Sequence, residues 1–139
     1  MSEAPPLEAG EVLLHHHRPD LAAFRRTALV LLAVTLVPTL AMVAAFPDSL
    51  WGAAPLFIAC LLLTQERVTL GRHAAWITNR RILLQNAAPV ALRNIATIKV
   101  VGNAVRLRTV DPARRVTLSY PSDKTALRDV IDTARQEAP

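Results

Sequence analysis

The chain divides by polarity. A polar opening gives way at residue 27 to a charge-free apolar run, residues 27–46, which reads TALVLLAVTLVPTLAMVAAF. Only Pro47, Asp48 and Ser49 separate it from a second apolar run, residues 50–64. As a helix the first run is about 30 Å long, the thickness of a bilayer's hydrocarbon core. The second reaches that length by starting near Ser49 and continuing through Val68, with Gln65, Glu66 and Arg67 at the interface and the Arg67 stem snorkelling. Trp51 stands at its other end, where an indole favours the headgroup zone. So short a connection predicts an antiparallel hairpin of membrane helices, 27–46 and about 49–68, within a membrane segment 25–70. Pro38 and Pro55 each remove a helical hydrogen bond, and are expected either to kink the helices or to be tolerated there. Twenty-six residues precede the first run, acidic ones among them, so it reads as an anchor rather than a secretory signal.

From residue 74 to 120 the period shortens to two. Ala75-Trp76-Ile77-Thr78 and Arg81-Ile82-Leu83-Leu84-Gln85 read as strands around an Asn79-Arg80 turn, and residues 86–89 as a break. Thr97-Ile98-Lys99-Val100-Val101 is followed by a Gly102-Asn103 hairpin turn. Val105, Leu107 and Thr109 share one face, with Arg106 and Arg108 on the other. Asp111-Pro112-Ala113-Arg114 suits a type I turn. Val116, Leu118 and Tyr120 then alternate with Arg115, Thr117 and Ser119, as in a sheet with one buried face and one wet face. A helix is expected at 122–137, capped by Ser122, because Leu127, Val130, Ile131 and Ala134 follow helical spacing.

Charge refines this picture. The net charge is +5, but residues 1–65 hold three arginines against five acidic groups, while 66–139 hold thirteen basic against six acidic groups. Arg25 and Arg26 flank the first helix, Arg67 and Arg72 the second, and the tight loop carries no Lys or Arg. The positive-inside rule then places both termini in the cytoplasm. Cys60 is the only cysteine, so no internal disulfide is possible.

Candidate chemistry is sparse. In the run His15-His16-His17, His15 and His17 point to one side of a strand and resemble half a metal site, but His73 is the only histidine outside the run and no carboxylate cluster accompanies them. No metal site is therefore expected. No nucleophile motif, phosphate loop or pair of carboxylates at helical spacing appears, so neither catalytic residues nor a cofactor are expected. Only Trp76 and Tyr120 are available for stacking among the basic residues, which argues against nucleic acid. The functional candidates are Arg80, Arg81, Arg93, Lys99, Arg106, Arg108, Arg114 and Arg115. If the strands bearing Arg106, Arg108 and Arg115 pair, their guanidinium groups form one patch suited to phosphate. The alternative is a solvated face that keeps the sheet soluble.

Residues 76–84, Trp76-Ile77-Thr78-Asn79-Arg80-Arg81-Ile82-Leu83-Leu84, resemble the aromatic-x-Thr-x-x-Arg strand-turn-strand of bacterial pleckstrin-homology-like (PH-like) domain proteins. Many of those proteins carry a two-helix membrane hairpin before that motif. Gly10-Glu11-Val12-Leu13-Leu14 with Arg18-Pro19 is similar to the Gly-Glu…Arg-Pro opening of many of them, so the resemblance covers about residues 10–136. The family's barrel has seven strands and a C-terminal helix. Five strands are clear here, and 12–16 or 68–73 are the stretches that can supply the others. The implied fold is an α+β membrane protein: a cytoplasmic segment 1–24 with a candidate strand at 11–17, the transmembrane hairpin, and a small antiparallel PH-like β barrel or sheet over 71–139 with its C-terminal helix.

The resemblance implies binding rather than catalysis. The expected role is an inner-membrane interaction or scaffold module of bacterial type that docks a membrane or cytoplasmic protein or assists assembly of a membrane complex, with Arg80, Arg81, Arg106, Arg108 and Arg115 as contact residues. Anionic lipid headgroups on the Arg face are an alternative ligand. An accessory transporter subunit is another, against which the spans carry no ionisable group. Gly52, Ala53, Ala54 and Ala59 leave a homo-oligomer open.

Overall fold

The structure, a computed structural model, describes residues 5–139; residues 1–4 of the expected N-terminal segment lie outside the described residues. The chain is α+β and divides into two compact units. One comprises residues 21–70; the other joins the segment up to Asp20 to residues 71–139.

The helical unit holds two helices, α1 (Leu21–Ala45) and α2 (Ala54–Thr69). Helix α1 begins six residues before the charge-free run, since Ala22, Ala23, Arg25 and Arg26 are all good helix formers. It passes through Pro38 as one element. The Thr35 and Thr39 hydroxyls donate back to Leu31 O at 2.9 Å and Thr35 O at 2.7 Å, a common way for polar groups to be satisfied in an apolar helix. A single 3₁₀ turn, Leu50–Ala53, precedes α2; Ser49 Oγ accepts the Trp51 N–H at 3.3 Å. Pro55 falls in the first turn of α2, where no intrahelical N–H is required. Of the two outcomes open for Pro55, a kink or toleration, the second holds, at a helix start. The helices Leu21–Ala45 and Leu50–Arg72 are long and apolar enough to cross a membrane.

Among the described residues the β unit has seven strands. Strands β1 (Leu13–His17), β2 (Ala75–Thr78), β3 (Arg81–Leu84) and β4 (Ala87–Ala91) form one antiparallel sheet in that order. Strands β5 (Ile95–Val101), β6 (Ala104–Thr109) and β7 (Arg115–Ser119) form the second. The first strand is the 12–16 candidate, whereas in the 68–73 stretch the chain stays helical through the 3₁₀ turn Leu70–Arg72 and forms no strand. The break expected at 86–89 is corrected: Gln85 and Asn86 make a two-residue turn, and Ala87 to Ala91 return as β4. Pro89 cannot donate to a ladder, and it sits on an edge strand, where prolines are tolerated.

Helix α3 (Lys124–Glu137) follows β7. Its cap is Asp123 rather than Ser122: the Asp123 carboxylate accepts the N–H groups of Thr125 and Ala126, both at 3.0 Å. The core gathers Ala75, Ile77 and Ile82 from the first sheet, Val105, Leu107, Val116 and Leu118 from the second, and Leu127, Ile131 and Ala134 from α3. These are the inward positions of period-two strands and of one helical stripe. The arginines at 106, 108 and 115 are consequently turned outward.

Candidate functional site

The candidate arginines fall into two groups on different sheets. On the second sheet the register sets Arg108 opposite Arg115, and Lys99 opposite Arg106. All four side chains are exposed. Directly opposed residues have Cβ atoms about 5 Å apart, and like charges in that relation are destabilising by tenths of a kcal/mol. The ranks running across the face are Thr97–Arg108–Arg115, Lys99–Arg106–Thr117 and Val101–Ala104–Ser119. None contains an acid, and among the described residues the four cations make no hydrogen bond or ion pair. Lys99 joins this group only through the register, since β5 and β6 pair across the Gly102-Asn103 turn. The expected pairing of the strands that carry Arg106, Arg108 and Arg115 is thus present. Arg114 stands apart from it, donating to the Ala88 carbonyl.

The second group surrounds the β2–β3 turn. Here Arg81 is committed to the fold. Its Nε donates to Glu11 Oε1 at 3.0 Å, its Nη2 to Glu11 Oε2 at 3.1 Å, and its Nη1 pairs with Glu8 Oε1 at 2.9 Å. Thr78 Oγ1 lies 2.6 Å from Glu11 Oε1 and accepts the Arg81 N–H at 3.1 Å. Asn79 completes the clasp, accepting the Val12 N–H at 3.0 Å and donating its own N–H to Val12 O at 3.1 Å. Gly10 adopts φ +78°, a left-handed conformation that glycine takes without strain. The two pieces Gly10-Glu11 and Thr78-x-x-Arg81 thus meet in one hydrogen-bonded cluster. The Arg81 guanidinium, above all, holds the Glu11 carboxyl down at about 2, against the opposing push of burial. In turn the pair raises the Arg81 pKa.

Beside this cluster Arg80, Arg81 and Arg93 line an open concavity of about 320 Å³, with Ala91, Ala138 and Pro139 as its remaining walls. The guanidinium groups of Arg80 and Arg93 make no hydrogen bond or ion pair with the described residues.

Two histidines of the run, His16 and His17, pack into the fold. His17 is buried, with Nε2 3.1 Å from Ser119 O. A carbonyl only accepts, so Nε2 carries the proton. His16 stacks on Trp76, with ring centroids 5.2 Å apart. Among the described residues no group of three or more His, Cys, Asp or Glu gathers as a metal site would require.

No known family model, curated protein or solved structure matches the chain.

Proposed function

We propose that the chain is a membrane-anchored, non-catalytic binding module of bacterial PH-like type, which docks an acidic protein partner on the wet face of the β5–β7 sheet. The observation that carries the reading is the cationic face itself. Lys99, Arg106, Arg108 and Arg115 stand in opposed like-charged pairs with no acid among them. An arrangement that costs the free fold stability is relieved by a negatively charged surface. Seven strands in a four-plus-three arrangement with a C-terminal helix support the PH-like reading.

Membrane anchoring is supported by the surface of the helical unit. Leu29, Val30, Val34, Val37, Leu40, Phe57 and Leu61 are each more than half exposed, a display of apolar surface that suits lipid. Strand β1 precedes the helices and β2 follows them, yet the two are hydrogen-bonded neighbours. Both must then lie on one side of any membrane crossed, which requires an even number of crossings. With Arg25, Arg26, Arg67 and Arg72 at the open end, that side is the cytoplasm.

A second reading, anionic lipid headgroups on the same face, is favoured by the connections. Three residues join β1 to α1, and two join the 3₁₀ turn Leu70–Arg72 to β2, so the β unit travels with its anchor.

Affinity capture with the full chain in mild detergent tests both readings. The first expects an acidic protein that is retained at low salt, released as salt rises, and lost with Arg106→Glu/Arg108→Glu. Retention of the same protein by that variant contradicts the docking face. Displacement of the protein by added anionic lipid favours the second reading.

A further inference from the structure

We propose that the concavity at the β2–β3 turn is a binding site for a small phosphate-bearing ligand, gripped by Arg80 and Arg93 with Arg81 as a fixed wall. It is separate from the β5–β7 face and does not rest on the docking role assigned there. Its walls are tied to the core. Arg81 pairs with Ala91 across the β3–β4 ladder, and the Leu92 N–H donates to Arg80 O at 3.0 Å. Leu92 is fully buried, which fixes the short turn that carries Arg93 outward. Ala138, another of the lining residues, packs against the core.

Charge at the site is uneven. Arg81 is neutralised by Glu11 and Glu8, whereas Arg80 and Arg93 have no acceptor among the described residues. Two unsatisfied guanidinium forks facing one hollow match the several acceptor oxygens of a phosphate. A carboxylate offers two acceptor oxygens and one charge, and a sulfate ester a single charge, against the three terminal oxygens and roughly −1.5 to −2 charge of a phosphomonoester. The volume of about 320 Å³ lies at the small end of ligand pockets, roughly 300–1,000 Å³, which suits a phosphomonoester or pyrophosphate group rather than a whole nucleotide. Such a group could belong to a soluble phosphate ester or to a lipid headgroup; the recognition chemistry is the same.

The test is calorimetric titration of the full chain in phosphatidylcholine nanodiscs with inorganic pyrophosphate. Wild type should bind saturably, at one site per chain. Arg80→Gln and Arg93→Gln should each weaken binding roughly ten- to hundred-fold, the loss expected for a charge-assisted hydrogen bond. Arg93→Lys, which keeps the charge and loses the fork, should fall between. Both arginines are exposed and their guanidinium groups make no hydrogen bond or ion pair among the described residues, so these variants should fold normally. Arg106→Gln/Arg108→Gln should bind like wild type, which separates this site from the docking face. Absence of saturable binding, or equal affinity in wild type, Arg80→Gln and Arg93→Gln, overturns the proposal. Repeating the titration in nanodiscs containing phosphatidic acid identifies the source. An apparent affinity weaker than in nanodiscs of equal charge made with phosphatidylglycerol assigns the site to a lipid phosphomonoester, an equal one to a soluble phosphate ester, and either result supports the site.

Discussion

Glu11 and Arg81 stand seventy positions apart and are joined by two parallel hydrogen bonds, Nε to Oε1 at 3.0 Å and Nη2 to Oε2 at 3.1 Å. Both apolar helices lie between them in sequence. The ion pair therefore closes the whole hairpin into a loop and recruits β1 to a sheet whose other strands all follow the helices. One consequence concerns fragments. A piece consisting only of residues 71–139 lacks β1, the Glu11 carboxylate and the His17 side chain, so a soluble version of the β unit must carry both segments.

Glu11→Gln should therefore destabilise the fold. Breaking one side of a buried pair costs roughly 3–5 kcal/mol, and the partial exposure of Arg81 lowers the expectation to about 2–3 kcal/mol. Denaturant unfolding followed by tryptophan fluorescence measures it. The wild-type carboxyl is held at about 2, below its ordinary 4.5. Its contribution is complete above pH 4.5 and is lost as pH falls through 2. Glu11→Gln should lack this acid-dependent loss.

His17 predicts a second, higher window. Burial pushes its pKa down to about 4, against the raising effect of the hydrogen bond to Ser119 O, and repulsion from neighbouring histidines adds to the lowering. The neutral ring is the folded form, so stability is greatest above pH 6.5 and declines as pH falls from 6.5 to 4. The decline amounts to up to about 3 kcal/mol by the size of the shift. His17→Gln should flatten the stability curve in that window, measured by unfolding at pH 7, 5.5 and 4.

The close approach of Gly52 to Val43 predicts a steric requirement within the helical unit. A Cβ on Gly52 would lie 3.0 Å from Val43 Cγ2 and 3.1 Å from its Cα, so backbone would have to move. Gly52→Val should force the hairpin open at its tight end and lower the temperature of aggregation in detergent. Gly71→Ala, where nothing lies within 4 Å of the added carbon, should behave like wild type.

Much of this architecture was legible from local pattern. The charge-free run, the period-two strands around Arg106 and Arg115, and the stripe Leu127, Val130, Ile131, Ala134 each carry their own signal. Strand β4 was hidden because Pro89 and its alanines read as a break, and only its place at a sheet edge makes it a strand. The role of Glu11 was hidden for a different reason. Its partners Thr78 and Arg81 lie beyond the hairpin, and nothing local to Gly10-Glu11 states what it meets. Arg80 and Arg93 were recognisable as basic residues, but their shared concavity depends on the β3–β4 register and on the buried Leu92 between them.

The proposed membrane topology, with β1 and β2 on the same side, can be checked by labelling. In a Cys60→Ser background, Asp48→Cys in the tight loop should react with a membrane-impermeant maleimide from outside intact spheroplasts. Thr125→Cys in α3 should react only after lysis. Reaction of both from outside contradicts a cytoplasmic β unit.

The proposed docking face is tested most directly by a photocrosslinking side chain at Thr117, which lies opposite Arg106 on the wet face. In native membranes carrying the full chain, irradiation should give one discrete adduct with an acidic protein. Arg106→Glu/Arg108→Glu should abolish that adduct while leaving the fold intact, because each change removes an opposed like-charged pair. No protein adduct with wild type, or an undiminished one with the charge-reversed face, contradicts the account.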